Sequence, residues 1–266
     1  MDFFRESPEP WMPQPEKPSF SRSDAALVEV DYDCAYRPDL ETLIVQPLRW
    51  DLTGPEPKVL ILHTHTTESY TKNGEAYTET SAYRTLDENH NMLSIGDTVA
   101  ELLEKEGIGV IHDRQRHDYP SYSGSYVQAR SSMEEILTQY SSVRVVLDLH
   151  RDALEQNGTQ FRPVIQMDDV SVAQLMFVVG TDVSRKDHKN WQENLALALR
   201  LQVQLERIAP GIMRPLNLRA QRFNQDLSPG ALLVEVGAAG NTREEAQKAA
   251  EILAKALISL SKGTDM

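Results

Sequence analysis

The chain has 266 residues, with 27 Lys and Arg against 40 Asp and Glu, a formal charge of −13, and 40% apolar residues. That suffices for one large domain with a sizeable core, and the acidic balance argues against general nucleic-acid binding, which needs a basic surface for phosphate. The single Cys34 excludes an internal disulfide framework and a cysteine zinc finger, while no apolar run reaches the ~20 residues of a membrane span or forms a signal-peptide pattern.

In chain order, residues 1–24, "MDFFRESPEPWMPQPEKPSFSRSD", are rich in Pro, Ser and charge and read as a linker or flexible arm ahead of one catalytic domain over 25–266. "ALVEV" and "TLIVQPLRW" suggest an edge hairpin or a lead-in strand, and the main core is expected from about Lys58. "VLILH" (59–63) is a continuous apolar run, as in a strand covered on both faces. "NMLSIGDTVAELLEKEG" places Met92, Ile95, Val99, Leu102 and Leu103 on one helical face and stops at Gly107. A strand over 108–112, a helix over 126–140 and a strand over 143–150 follow. "GTQFRPVIQM" and "VAQLMFVVG" read as two further strands, antiparallel or one a sheet extension. "NWQENLALALRLQVQLERIAP" alternates locally like a strand, but its length and composition favour helix. "ALLVEVG" is another buried strand, and a final helix opens with Thr242 and Glu245 at capping-box spacing. This alternation predicts an α/β fold with a mostly parallel or mixed twisted sheet and helices on both faces, its ligands beyond the carboxyl ends of strands.

Those strand ends carry groups that are costly to bury alone. "KVLILHTHTTESY" ends in His63, His65 and Glu68; "VRVVLDLH" ends in His150; Glu235 sits among leucines and valines. A catalytic zinc takes about three protein ligands and leaves one position for water. His65 and Glu68, three residues apart, can face one side of a tight turn, and His150 supplies a third ligand from another strand end. A separate buried glutamate, Glu235, suits the general base. Taken singly these residues have blander readings: a His-x-x-Glu pair is common, and His150 or Glu235 alone is as well explained by a structural hydrogen bond or ion pair.

"HTHTTESY", "DLHRDA" and "FNQDLSPGALLVEVG" resemble, in order, the motifs of the stage II sporulation protein P family of endospore-forming bacteria. The resemblance implies a zinc-dependent N-acetylmuramoyl-L-alanine amidase, with one Zn2+ per chain and a fold similar to that of zinc carboxypeptidases. It implies hydrolysis of the amide between muramic acid and L-alanine in peptidoglycan, with cutting of peptide cross-links besides, during engulfment. The implied partners are a lytic transglycosylase and a membrane protein of the engulfment complex. Family members carry an N-terminal anchor and act outside the cytoplasmic membrane. Nothing before Lys58 could serve as that anchor, so the expectation is a soluble fragment of a membrane-anchored protein.

Among the other polar residues, His63 is expected to support the site by a hydrogen bond, and Asp148 to orient a histidine. Arg151 pairs with Asp152 or holds a stem-peptide carboxylate; Arg84 and Arg219 are further cations for the groove. Glu88 rivals Glu68 as the zinc carboxylate. His112-Asp113 and His117-Asp118 form a rival metal site on one loop, whose tyrosines could stack on sugars. Two other functions compete: a zinc peptidase acting only on stem peptides, and an inactive wall-binding or partner-binding module.

Overall fold

Uncharged runs of Val, Leu and Ile must be covered on both sides, and a central sheet does this. The computed structural model describes residues 18–48, 51–52, 54–182 and 188–261. The strands of its central sheet are β1 (Val30–Asp33), β2 (Val59–Leu62), β3 (Val110–His112), β4 (Val145–Asp152), β5 (Leu175–Gly180), β6 (Leu216–Arg219) and β7 (Ala231–Ala238). They form one seven-stranded sheet in the order β1-β6-β5-β7-β4-β2-β3.

Strands β3, β2, β4 and β7 run parallel, and β5 lies antiparallel to β7. Beyond that seam β6 and β1 run parallel to β5. The sheet is therefore two oppositely directed parallel blocks. The carboxyl ends of β2, β4 and β7 share one rim, and those of β5, β6 and β1 lie on the other.

The helices are α1 (Leu40–Ile44), α2 (Met92–Lys105), α3 (Ser125–Gln139), α4 (Trp191–Ile208) and α5 (Arg243–Ser261). Alternate strand residues face opposite sides. Ile61, Leu147, Leu149, Val234 and Phe177 join the large core with α2, α4 and α5, whereas Leu60, Leu62 and Val146 pack on Ala129 and Met133 of α3. The expected α/β layering is present. Helix α4 is buried nearly all round, from Leu195 through Leu205, which explains its strand-like apolar alternation. The Thr242–Glu245 capping box forms: Thr242 N donates to Glu245 Oε2 (3.1 Å) and Glu245 N to Thr242 Oγ1 (3.3 Å).

Three details differ from the sequence reading. Residues Val30–Asp33 do form a strand, but "TLI" belongs to the short helix α1, and no hairpin joins them. Val28, Leu43, Ile44 and Leu52 are buried in the large core, ahead of Lys58. The pair Val164–Met167 and Val170–Ala173 is a separate antiparallel hairpin, with only β5 entering the central sheet. Of the arm expected over 1–24, the first 17 residues lie outside the described residues.

Candidate active site

Strand β2 stops at Leu62, and residues 64–67 turn. Threonines build the turn because their hydroxyls bond nearby backbone and carboxylates. Thr66 Oγ1 donates to His63 O (2.8 Å), Glu68 N bonds His65 O (3.1 Å), and Thr67 N and Oγ1 donate to Asp118. The turn carries His65 and Glu68 to the rim beside β4, where both are buried.

The His65 and His150 rings meet edge to face at 5.1 Å. Glu68 Oε2 lies 3.8 Å from His150 Nδ1, and His150 Nε2 lies 3.0 Å from Asp148 Oδ1, off the line of a good hydrogen bond. Thr64 fixes Asp148 through its N–H (2.8 Å) and hydroxyl (2.7 Å). Burial disfavours the Asp148 carboxylate, yet His150 and the Thr64 bonds outweigh it and bring the pKa down to about 2. Burial likewise disfavours the His150 cation, but Asp148 and then Glu68 raise its pKa to about 9. Burial and the neighbouring His150 push His65 down to about 3, so its imidazole is neutral near neutral pH.

Glu235 stands opposite His150 in the β7–β4 register, on the same face. The residue is only partly covered, but its Oε2 is shielded from solvent and has no hydrogen-bond partner among the described residues. Burial raises its pKa to about 8, against the pull of His150. Just beyond, Gly237 takes φ +68°, and the β7–β4 register shifts between Glu235 and Ala238. Such irregularities re-aim side chains next to sites.

The remaining candidates separate. His63 faces α2, away from His65, because the strand ends between them. Its Nδ1 donates to Leu149 O (3.0 Å), and its Nε2 contacts His112 Nε2 (2.9 Å). Arg151 is buried with its guanidinium on Ser69 O and Tyr83 O (both 3.0 Å) and its Nη1 3.7 Å from Glu68 Oε1, so it clamps backbone and backs the Glu68 carboxylate. Asp152 pairs with Arg214 at 2.8 Å rather than with Arg151. Arg84 does reach the site, donating to Glu68 (3.1 Å) and Asp118 (2.6 Å).

Arg219 is a correction. It ends β6, level with Gly180 of β5, on the rim opposite Glu235 because β6 runs against β7, and it contacts Asn217 (2.6 Å) and Asp33 (3.6 Å). Glu88 is taken by Arg114 and Arg116, each at 3.0 Å. In the rival loop site, His112 turns to His63 and Asp97, Asp113 accepts from Ser132, and Asp118 holds the Thr67 turn and Arg84. His117 Nε2 stays 3.4 Å from Asp113 Oδ2, while His112 and Asp118 are held elsewhere, so the four groups do not converge.

Sequence reasoning gave the loop tyrosines a sugar-stacking role without placing two of them beside His65. Tyr122 stacks on His65 (ring centroids 4.5 Å apart) with its hydroxyl 3.1 Å from Nε2, and Tyr126 meets the same ring edge-on at 5.6 Å. Their only signal was a tyrosine-rich loop.

Two imidazoles and a carboxylate are the donor chemistry of a zinc site. The shielded His65 Nδ1 has no hydrogen-bond partner among the described residues, and Asp148 beside His150 Nε2 leaves Nδ1 facing Glu68. Among the described residues, no three such side chains enclose one point as they stand. The donors of a tetrahedral zinc lie ~3.4 Å apart, and Glu68, drawn toward Arg84, keeps its Oε2 3.8 Å from His150 Nδ1. The donor types fit, and the set stands open as it is.

A sequence model of the stage II sporulation protein P (SpoIIP) family matches residues 11–258. The chain belongs to this family. Stage II sporulation protein P of Bacillus subtilis (strain 168) is 30% identical over 213 residues, 76% of this chain and 50% of that protein. This family member thus spans about half the length of the curated relative it matches. Among solved structures, the N-acetylmuramoyl-L-alanine amidase AmiC2 of Nostoc punctiforme aligns with TM-score 0.46 and 16% identity, over 77% of this chain and 96% of its own. The N-acetylmuramyl-L-alanine amidase Ami1 of Mycobacterium smegmatis aligns with TM-score 0.43 and 13% identity, over 78% and 96%. Among the described residues of this SpoIIP-family chain, no helix is long and apolar enough to cross a membrane.

Proposed function

We propose that the chain is a peptidoglycan hydrolase, a zinc-dependent N-acetylmuramoyl-L-alanine amidase acting in engulfment. The observation that carries this reading is the pairing across β4 and β7 of His150 with Glu235, beside the His65–Glu68 turn. His65, Glu68 and His150 would hold the ion. When bound, zinc acidifies water and polarises the attacked carbonyl.

The chain's own residues supply the rest. Asp148 holds His150 in one orientation. Arg84 and the Arg151 backbone N–H steady Glu68. Glu235 Oε2 takes the proton of the attacking water and returns it to the departing amide nitrogen. Its raised pKa suits both halves of that transfer, and a cation nearby draws the value back toward neutrality. Family membership supports the sporulation setting, and with it an extracytoplasmic, membrane-anchored full-length protein partnered by a lytic transglycosylase and a membrane protein of the engulfment complex.

Zinc quantitation combined with digestion of purified sacculi and mass analysis of the released fragments tests this. The expected result is one zinc per chain and release of intact stem peptides from the glycan. Glu235→Gln should keep zinc while losing about 10²–10⁴-fold in rate. Cut stem peptides on intact glycan linkages would make the chain a peptidase. Absence of both zinc and product would make it a binding module and end the proposal.

A further inference from the structure

On the α3 side of the sheet, past Tyr126, lies an open cavity of about 400 Å³ that the chemistry above does not use. Tyr126 belongs to both places: one edge meets His65, and the ring lies 6.0 Å from that of Phe223, tilted by 54°. Val127 adds an apolar rim that is 73% exposed. Phe223 and Asn224 both adopt left-handed backbone, with φ of 49° and 58°, a conformation that is costly for a bulky residue.

Neighbours hold the segment there. Asn224 Nδ2 donates to Tyr126 O (2.8 Å), and Gln225 bridges Val178 O and Gly180 N, each at 2.8 Å. The fold thus fixes an aromatic pair at the mouth of a cleft that shares Tyr126 with the candidate site.

The cavity's cations are already balanced. Asp226 accepts from Arg130 (3.0 Å) and Arg222 (3.1 Å), and Arg130 Nε lies 2.9 Å from Glu134. Two guanidiniums face two carboxylates, so an anionic peptide gains no unpaired positive charge. A guanidinium carries five N–H donors, more than these contacts engage, and the remainder suit neutral oxygens. Aromatic faces beside neutralised, hydrogen-bonding guanidiniums are the surroundings of a sugar ring, whose C–H face is apolar and whose rim is polar.

We propose that this cavity is a saccharide subsite, in which an N-acetylated pyranose packs on Tyr126 and Phe223 and its oxygens accept from Arg130 and Arg222. The assignment rests on the peptidoglycan reading, which places such a sugar beside the scissile amide.

The probe is the N-acetylglucosamine tetrasaccharide, titrated into the full chain by calorimetry or NMR, a readout independent of turnover. Saturable binding is expected, weakened about tenfold by Phe223→Ala, the scale of one lost aromatic contact. Val127→Glu should weaken it similarly; this exposed position is free of the packing role that Phe223 has on Met176, Val178 and Leu233. No saturable binding at millimolar sugar, or affinity unchanged from the parent chain in both variants, overturns the subsite. So does an unlinked stem peptide that binds here and is lost with the same substitutions. Sugar binding without hydrolysis of sacculi would fell the hydrolase reading and leave the subsite standing. Hydrolysis with KM unchanged in Val127→Glu would do the reverse.

Discussion

Glu235 is an acid whose surroundings hold on to its proton, and the consequence for stability has a definite sign. Its pKa is about 8 in the folded metal-free chain against an ordinary 4.5. As pH rises through 4.5 the unfolded chain loses this proton while the folded chain keeps it, so folded stability falls until about pH 8 and then levels off. Glu235→Gln removes the effect. After chelation of metal, the variant should be the more stable protein above pH 8, by a few kcal/mol at most, with the gap closing toward pH 4.5. Thermal unfolding of both proteins across that range checks it. Asp148 gives a second expectation: Asp148→Asn keeps the shape but loosens His150, and zinc affinity should drop about 10–100-fold by chelator competition. His65, Glu68, His150 and Glu235 were legible because polar groups ending apolar runs are anomalous in any fold. The positions of Arg151 and Arg219 were not legible, for a different reason. Where a cation ends up depends on strand direction and on which carbonyls need donors, and no local pattern encodes either.

Among the elements, α2 approaches the strand ends closely. A Cβ on Gly96 would come 2.5 Å from His112 Nε2 and 2.7 Å from His63 Nε2, so only glycine lets the helix cover that histidine pair. Gly96→Ala should cost about 1–3 kcal/mol, the scale of overpacking. Combining it with His112→Ala, which makes room, should cost less than the sum of the two; urea unfolding of the double-mutant cycle measures this. The long strands and amphipathic helices were readable from periodicity. Strands β1 and β6 were harder, since "VDYD" and "LNLR" are short, half polar and gain strand character only by pairing, β1 with β6 and β6 with β5.

At the scale of the molecule, the core begins earlier than composition indicates. Val28, Leu43, Ile44 and Leu52 are buried, and at ~1.5–3 kcal/mol each they match much of the net stability of a typical domain, ~5–15 kcal/mol. A shortened chain starting at Lys58 should therefore fail to fold cooperatively, which circular dichroism and thermal melts would reveal. The seam between β5 and β7 has a consequence of another kind. Because the sheet reverses direction there, Cys34, just past the end of β1, sits on the rim away from Glu235. It is also the only thiol in the sequence. A maleimide-coated bead or electrode coupled to this half-buried thiol would hold the protein by its back, with the cleft facing outward.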